Sequence, residues 1–380
     1  MKIAHIGLAS FYTPGMTYQD NFLSAQNARD GHEVLYISNA AKYVAGKVTE
    51  TGYEDGMDGG VRLVRLPYEP FLTRFVTDKL RRVKGLYKLL EDFAPDVILS
   101  HSLQYWSVRD VIRYKKDHPE VKFYADTHTD YYTSGTNWLS RKVLHGMFYR
   151  RLAQSALPFL EKYLYISDEC RRFSAELYGV PEDRMEFYPL GGTILPEADY
   201  QATRARRRAE LGVGADTPLL VHAGKLEPMK RTDALLRAFA AVPELNARLA
   251  VIGSIQEEIK PELTRLMEAD GRVTYLGWKT GEELEEYLCA CDLYCQPGKG
   301  SAILENAVCR NCPVLLYPHP DYVKDYNWGN IRWVRTEEDM AAAFRELAEG
   351  TFPLADMAAE SARCAREMLD YRELAARLYQ

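Results

Sequence analysis

The feature that most constrains the fold is an alternation of short apolar strands with helical segments. The first strand, KIAHIGL (2–8), precedes a loop with Gly15, a helix-like stretch at 21–29 and a second strand, HEVLYIS (32–38). A strand, a helix and a strand in this order predict a right-handed parallel crossover. Further strands are predicted at 61–67, 96–102, 122–128 and 162–167. The first half is therefore predicted to be a doubly wound α/β domain.

The same alternation starts again in the second half. It is interrupted after Pro189 by an Arg-rich segment (204–208) and resumes with the strand PLLVHAG (218–224). Further strands are predicted at 248–254, 273–278, 291–297 and 312–318, with helices at 232–241, 256–269, 281–289 and 302–309. A second Rossmann-like domain follows from this repetition.

We place the domain boundary within 190–215. The predicted domains are an N-terminal acceptor-side domain (1–195) and a C-terminal donor domain (196–355). The Ala-rich tail from 340 is predicted to be helical except at 350–353, and its last part (356–380) to pack back on the N-terminal domain.

Composition narrows the function classes. The 380 residues are 47% hydrophobic and 27% charged, typical of a folded chain, and the net charge of -6 argues against bulk attraction to nucleic acid. No apolar stretch reaches the roughly 18 residues of a membrane helix, and the N-terminus lacks signal-peptide features. A cytoplasmic location is predicted.

Seven cysteines are expected to stay reduced in such a compartment. Cys291, Cys295, Cys309 and Cys312 could be drawn as two zinc-ligand pairs. They lie in apolar runs, where small buried thiols are common, so packing is the favoured interpretation.

Ligands of parallel sheets bind at the carboxyl ends of the strands, and two such domains facing each other form a cleft. That arrangement predicts that four loops line one cleft. They are 9–17, 126–135, 224–231 and 296–305.

The loop HAGKLEPMKR (222–231) puts Gly224, Lys225 and Lys230 directly after a strand. Two ammonium groups can converge on one anion, and glycine lets a phosphate approach the backbone. A diphosphate fits this arrangement, although lysines in loops are often only solvated.

The segment GKGSAILENAV (298–308) is predicted to open a helix near Ser301, whose free N–H groups favour negative charge. Glu305 lies one turn inside this predicted helix. An acid there can accept hydrogen bonds from the paired hydroxyls of a ribose, as in dinucleotide sites. The alternative is a solvated helix residue.

These residues resemble the retaining, GT-B-fold glycosyltransferases of family 4 (group 1), and the resemblance spans nearly the whole chain. In that family a strand-end glycine and basic residue, followed five residues later by lysine, grip the donor diphosphate, which implies this role for Gly224, Lys225 and Lys230. A glutamate in a helix-opening loop holds the ribose, matching Glu305. The resemblance implies a GT-B fold, with two Rossmann-like domains facing an interdomain cleft.

Other segments extend the resemblance. The loop TPGMT (13–17) is similar to the family's glycine-rich loop, which implies that Gly15 lets the donor phosphates approach. DGHEVLYIS (30–38) resembles the family's second strand, and YGVPEDRMEFYPLGG (178–192) resembles the segment that leads into its linker.

One departure concerns the donor sugar. The family commonly carries an acidic residue eight positions before the ribose glutamate, where this chain has Pro297. Sugar contacts are then expected from backbone amides of Gly298, Lys299, Gly300, Ser301 and Ala302, or from the side chains of Gln296, Lys299 or Ser301.

His128, in ADTHTDYY (125–132), ends a predicted strand between Asp126 and Asp130. The family often has a histidine here, close to the reacting sugar, so the resemblance implies a catalytic role. A histidine satisfied by the neighbouring carboxylates is the alternative. No strand-end DxD pair is present, and no metal is expected.

Residues 71–90 hold six basic residues and one acid among apolar residues at helical spacing. A basic amphipathic helix could contact an anionic membrane and, with Tyr149, Arg150 and Arg151, dock a lipid-linked acceptor. A core-facing helix with a solvated basic side is the alternative.

The resulting expectation is a metal-independent, retaining hexosyltransferase in surface polysaccharide or glycoconjugate assembly. It would use a UDP- or GDP-linked sugar as co-substrate, no further cofactor, and a glycan or lipid-linked acceptor, at the inner face of the membrane. The alternatives are a non-catalytic nucleotide-sugar-binding partner subunit and a GT-B sugar epimerase.

Overall fold

The computed structural model describes residues 1–16, 18–44, 47–131, 134–301, 303–319 and 328–379. They form two compact units. The N-terminal unit comprises Met1–Pro189 and Leu374–Gln380, and the C-terminal unit comprises Leu190–Glu373.

The N-terminal unit is built on a sheet with the strand order β10-β9-β8-β7-β1-β2-β6-β5. Its strands and the separate hairpin β3-β4 are β1 (Lys2–Gly7), β2 (Glu33–Asn39), β3 (Ala41–Val44), β4 (Lys47–Glu50), β5 (Glu54–Asp58), β6 (Val61–Leu66), β7 (Val97–His101), β8 (Lys122–Thr127), β9 (Tyr163–Tyr165) and β10 (Met185–Phe187). Neighbouring strands of the sheet are parallel except β5 and β6. The central strand β7 is buried along its whole length, as expected for a parallel sheet covered on both faces.

Helices flank this sheet. They are α1 (Gln19–Arg29), α2 (Arg74–Leu80), α3 (Leu86–Phe93), α4 (Val108–Asp117), α5 (Arg150–Ala156) and α6 (Asp168–Phe173), with π-helical runs at Ser140–Tyr149 and Ser174–Tyr178. The run Ser140–Tyr149 continues directly into α5.

The prediction of one continuous amphipathic helix over 71–90 is wrong. α2 ends at Leu80, the next residue Arg81 takes a left-handed conformation with φ of 51°, and Gly85 has φ of 87°. The chain therefore turns twice before α3, whose Leu86 and Leu90 are buried in the core. In the second half of the segment Val83, Leu86 and Leu90 face the core. The basic residues Arg82, Lys84 and Lys88 of that half are exposed.

The C-terminal unit contains a parallel sheet with the strand order β13-β12-β11-β14-β15-β16. Its strands are β11 (Leu219–Ala223), β12 (Arg248–Ile252), β13 (Val273–Gly277), β14 (Leu293–Gln296), β15 (Val314–Leu316) and β16 (Ile331–Trp333). The helices after Pro189 are α7 (Glu197–Glu210), α8 (Thr232–Ala240), α9 (Lys260–Glu268), α10 (Gly281–Ala290), α11 (Ile303–Cys309), α12 (Glu337–Ala348), α13 (Leu354–Cys364) and α14 (Tyr371–Ala376). Every predicted strand coincides with an observed one, and two Rossmann-like α/β domains are confirmed.

Candidate active site

The candidate residues of the C-terminal unit follow two neighbouring strands. β11 and β14 pair in parallel, and they end at Ala223 and Gln296. The loops 224–231 and 297–301 therefore leave the same edge of the sheet. This carboxyl edge is where open α/β sheets bind ligands.

Lys230 joins these two loops. Its ammonium donates hydrogen bonds to the carbonyl oxygens of Lys299 (2.9 Å) and Gly300 (2.8 Å). Only 5% of Lys230 is exposed, and this burial lowers the pKa of its ammonium to about 8. An ammonium has three N–H donors, so the third can still be given to an anion.

Close backbone contact between the loops explains the glycine at position 298. A Cβ there would lie 2.2 Å from the carbonyl oxygen of Met229 and 2.8 Å from that of Lys230. In addition, the N–H of Lys299 donates to the carbonyl of Met229 at 2.9 Å. A side chain at 298 would force the loops apart.

Gly224 and Lys225 lie beside this contact. Gly224 has φ of 138°, a conformation that residues with a side chain rarely adopt. A Cβ built on Gly224 would be in ordinary contact, at 3.9 Å, with Cε of Lys230. Lys225 itself is exposed, so one buried and one exposed lysine flank the same short stretch of backbone.

Glu305 lies in the first turn of α11 and is buried. Before this helix, the hydroxyl of Ser301 donates to Oε1 of Gln296 at 3.1 Å, and Tyr294 donates to the same oxygen at 3.3 Å. The side chain of Ser301 is thus bonded within the protein. The predicted site residue Ala302 lies outside the described residues.

A buried histidine in β11 supports both loops. Nδ1 of His222 lies 2.7 Å from the carbonyl oxygen of Cys295, and Nε2 lies 2.9 Å from Oγ1 of Thr232. Burial lowers the pKa of His222 to about 4, so the ring is neutral at pH 7. Nδ1 then carries the proton that bonds Cys295, and His222 ties β11 to β14 and to the start of α8.

In the N-terminal unit, Gly15 lies in a turn after β1. Its φ is 77°, and a Cβ built there meets no atom within 4 Å, so backbone conformation rather than space favours glycine. The buried guanidinium of Arg65 donates to the carbonyl of Tyr12 at 2.8 Å and supports the start of this loop. Thr17, the last residue of the predicted glycine-rich loop, lies outside the described residues.

His128 follows β8, and its side chain is 43% exposed. Its Nε2 lies 3.8 Å from Oδ1 of Asp126. The other oxygen of that carboxylate, Oδ2, lies 2.7 Å from Nδ1 of His101 in the neighbouring strand β7. Asp126 is fully buried, so it lies between a partly exposed histidine and a buried one.

The chain of contacts continues across the sheet. Nε2 of His101 lies 3.1 Å from Nδ1 of His5 in β1, and Nε2 of His5 lies 2.8 Å from Oδ1 of Asn27 in α1. Because the amide oxygen only accepts, His5 donates from Nε2 and accepts at Nδ1. His101 therefore donates to both His5 and Asp126.

Electrostatics agree with this assignment of protons. Burial opposes charge on His101, but the Asp126 carboxylate outweighs it and raises the pKa of His101. Burial would also raise the pKa of Asp126, yet His101 lowers it. Burial and the nearby His101 lower the pKa of His5 to about 3. A buried imidazolium–carboxylate pair thus stands behind His128, next to a neutral His5.

Family models account for both halves of the sequence. Residues 17–191 match the glycosyl transferase 4-like domain, and residues 203–364 match glycosyl transferases group 1. The chain belongs to the group 1 glycosyltransferases.

Curated relatives of this group 1 glycosyltransferase match parts of it. The D-inositol 3-phosphate glycosyltransferase of Rhodococcus erythropolis is 28% identical over 209 residues, which cover 50% of this chain and 46% of that protein. The chain spans less than half the length of the curated relatives it matches.

Solved structures support the fold of this group 1 glycosyltransferase over its whole length. Anabaena HepE in complex with UDP has a TM-score of 0.67 at 14% identity, covering 99% of this chain and 98% of that one. A glycosyltransferase from Rickettsia africae has a TM-score of 0.67 at 12% identity, covering 99% and 96% of the two chains. The predicted GT-B fold is confirmed.

The remaining predictions concern metals and membranes. All seven cysteines of this group 1 glycosyltransferase are buried thiols. Among the described residues, no cluster of His, Cys, Asp or Glu has three members placed to hold a metal ion. Within the same part of the chain, we find no helix with the length and apolar character needed to span a bilayer.

Sequence reasoning missed His222, His101 and His5 in this group 1 glycosyltransferase. His5 and His222 are polar residues inside otherwise apolar strands, and His101 ends the apolar strand β7 after Ser100, which was the available signal. Buried polar side chains need partners, so such positions indicate a hydrogen-bonded interior.

Proposed function

We propose that this group 1 glycosyltransferase moves a sugar from a nucleoside diphosphate sugar to a hydroxyl of a glycan or lipid-linked acceptor, with retention. One observation carries the proposal. Lys225 and Lys230 lie beside Gly224, whose positive φ suits only glycine, and Lys230 bonds the loop 298–300 at the carboxyl edge of the sheet. Two cations beside close-packed glycine backbone suit a diphosphate.

Each part of the donor then has an assigned partner. Lys225 and the third N–H of Lys230 bind the diphosphate and neutralise it as it leaves, without a metal. Glu305 accepts hydrogen bonds from the ribose hydroxyls. Backbone amides of 298–301 contact the phosphate and the sugar, and Gly15 permits phosphate approach.

UDP sugars are the first donors to test. HepE has been crystallised with UDP-glucose, and the curated relatives carry the name D-inositol 3-phosphate glycosyltransferase. These names support a nucleotide sugar as donor and a hydroxylated acceptor. We assign the acceptor to surface polysaccharide or glycoconjugate assembly at the cytoplasmic face of the membrane.

His128 is the proposed catalytic residue. A hydrogen bond donated by its ring to the leaving phosphate or the acceptor would stabilise charge that develops in the transition state. Asp126 and His101 act through His128, so they are positioning residues. His128→Ala is expected to lower kcat by about 100-fold or more, with unchanged UDP affinity.

The decisive experiment measures donor binding and turnover together. Thermal shift across UDP, GDP and ADP sugars identifies the nucleotide, because a ligand of the native state raises the Tm. Isothermal titration then gives affinities, and NMR of the product reports the anomeric configuration. An inverted product would contradict retention, and a failure to bind any nucleoside diphosphate would contradict the proposal as a whole.

Pro297 favours one rival function. Because it replaces the acid that commonly contacts the donor sugar in this family, the chain could be a nucleotide-sugar-binding partner subunit without catalysis. UDP binding with neither transfer nor donor hydrolysis across a panel of acceptors would support this rival. A sugar epimerase would act on the donor without an acceptor and change the configuration at one carbon of its sugar; if it also activates water, it releases the free sugar and the nucleoside diphosphate.

A further inference from the structure

Large apolar side chains are exposed on two segments of the N-terminal unit. One segment contains the start of α2, with Phe71, Leu72 and Phe75 exposed. The other leads into α5 and exposes Trp138, Leu139, Val143 and Met147. Leu139, Val143 and Met147 are spaced four residues apart, so they share one face of the π-helical run. We call these seven side chains the apolar patch.

The two segments touch each other. The hydroxyl of Tyr149 donates to the carbonyl of Lys79 at 2.8 Å. The guanidinium of Arg81 lies 5.7 Å from the centre of the Tyr149 ring. The end of α2 is therefore packed against the end of the π-helical run, so the two segments that carry the exposed side chains are neighbours in the N-terminal unit.

The charge around the apolar patch is strongly positive. Residues 71–84 and 134–156 together contain nine Lys and Arg residues and one acidic residue, Asp78, in a chain whose net charge is -6. Arg141, Lys142, Arg150 and Arg151 are exposed. Some neighbouring cations are neutralised, since Arg74 pairs with Glu50 and Arg82 with Glu69. The exposed basic residues of the π-helical run and α5 are the main source of the local field.

We propose that the apolar patch and these four basic residues bind the surface of an anionic lipid bilayer. Apolar and aromatic side chains next to exposed basic residues are the features that hold a protein in the plane of a lipid interface. Trp138 suits that interface because its ring is apolar and its N–H can remain hydrated. The contact differs from the single helix over 71–90, since the chain turns between α2 and α3 and the segment 134–147 supplies four of the seven apolar residues.

The proposed membrane binding rests on the proposed function in one respect only: its purpose would be access to a lipid-linked acceptor. The surface lies in the N-terminal unit, whereas the candidate diphosphate residues lie in the C-terminal unit. Vesicle binding and UDP binding can therefore be measured separately on the full chain. Loss of one with retention of the other would show which proposal has failed.

The test is co-sedimentation of the full-length protein with phosphatidylcholine vesicles that contain or lack phosphatidylglycerol. Binding is expected only to the anionic vesicles. It should weaken between about 0.1 M and about 1 M salt, because the Debye length falls from about 10 Å to about 3 Å. Trp138→Ala, and separately Arg141→Glu with Lys142→Glu, should each reduce the partition coefficient by about tenfold or more.

The chain offers matched controls. Trp278 in the C-terminal unit is 69% exposed, against 70% for Trp138, so Trp278→Ala removes a similar exposed ring elsewhere. Lys260→Glu with Arg265→Glu reverses two charges on the exposed side of α9. Both controls should keep vesicle binding, and all variants should keep the UDP-induced rise in Tm.

Three results would overturn the proposal. The first is equal binding to neutral and anionic vesicles, and the second is full binding by the Trp138 and Arg141/Lys142 variants. The third is sedimentation of the free protein as a dimer that Trp138→Ala dissociates, with no vesicle binding. That result would assign the apolar patch to contact with a second copy of the chain.

Discussion

The two units hold their candidate residues by different means. In the C-terminal unit the loops are fixed by backbone contact at Gly298 and by a lysine bonded to two carbonyl oxygens. In the N-terminal unit His128 stands at the end of buried ionisable side chains, of which Asp126 and His101 form a charged pair. The arrangement in the C-terminal unit depends on the absence of a side chain at Gly298. The arrangement in the N-terminal unit depends on the protonation of His101 and the charge of Asp126.

This difference indicates which substitutions each unit should tolerate least. A loop that is fixed by close backbone contact does not tolerate an added methyl group. A buried ion pair is sensitive to the removal of one partner, because the other charge is then buried and uncompensated.

The largest effect is expected from Asp126→Asn. The variant leaves the His101 imidazolium without its carboxylate, and breaking a buried pair in this way costs about 3–5 kcal/mol. Urea denaturation followed by Trp fluorescence would measure the loss in apparent unfolding free energy. Asp130→Asn, four residues further along the chain and not fully buried, serves as the control and should change it by less than about 0.5 kcal/mol. Equal stabilities of the two variants would contradict a charged pair.

The difference in unfolding free energy between the native protein and Asp126→Asn should depend on pH, because the pKa values of His101 and Asp126 are both shifted. The pKa of His101 is raised, so its contribution is complete below its ordinary value of about 6.5 and is lost as the pH rises through the folded value. The pKa of Asp126 is lowered, so its contribution is complete above about 3.9 and is lost as the pH falls through the folded value. The unfolding free energy of the native protein should therefore exceed that of Asp126→Asn by the largest amount between about pH 4 and pH 6.5.

A smaller effect is expected from Gly298→Ala, which tests the backbone-built loop. A methyl group 2.2 Å from the carbonyl oxygen of Met229 must push the loops apart, and overpacking of this kind costs about 1–3 kcal/mol. The variant should bind UDP at least about tenfold more weakly, measured by isothermal titration. Gly271→Ala is the matched control, because a Cβ there meets no atom within 4 Å. Unchanged UDP affinity in Gly298→Ala would remove this loop from the donor site.

Much of the fold could be predicted because parallel strands covered on both faces are short apolar runs. The strands that were missed are the hairpin strands β3 and β4, the exposed β5, and the three-residue strands β10 and β16, which carry no such run. The Arg-rich segment 204–208 looked like a boundary by composition. It is part of α7, where Arg204 and Arg208 both bond the carboxylate of Asp292, a partner far away in sequence.

For the candidate site, sequence gave the positions of residues but not their partners. The predicted strands and helices were enough to put Lys225 and Lys230 in the loop after one strand and Glu305 in the helix that follows another. That Lys230 bonds the carbonyls of Lys299 and Gly300 depends on the pairing of β11 with β14, which no local pattern encodes. The same holds for the contact of His5 with His101, on neighbouring strands that are far apart in sequence.

The next effect is a pH dependence of nucleotide binding. Because the pKa of Lys230 is about 8 and a diphosphate requires the charged form, UDP affinity should be high near pH 7 and about half as high at pH 8. It should fall above pH 8, by about tenfold at pH 9, as the ammonium loses its proton. Isothermal titration over this range checks the expectation, with uridine, which lacks the phosphates, as a ligand that should show no such fall. Lys230→Met should bind UDP weakly at every pH and abolish the dependence. A dependence that persists in Lys230→Met would assign it to another group.

The smallest effect is expected from Glu305→Gln, which separates the ribose end of the site from the phosphate end. The amide has nearly the shape of the carboxylate but is neutral, so the loss is that of a charge-assisted hydrogen bond, about 1 kcal/mol or about fivefold in affinity. Because the contact is to ribose, uridine and UDP should weaken by the same factor, whereas Lys225→Ala should weaken UDP alone. Lys225 is exposed and its replacement leaves the loop contacts of Lys230 in place, so that variant isolates the phosphate. If Glu305→Gln changes UDP affinity but leaves uridine unaffected, Glu305 acts on the phosphate loop and not on the ribose.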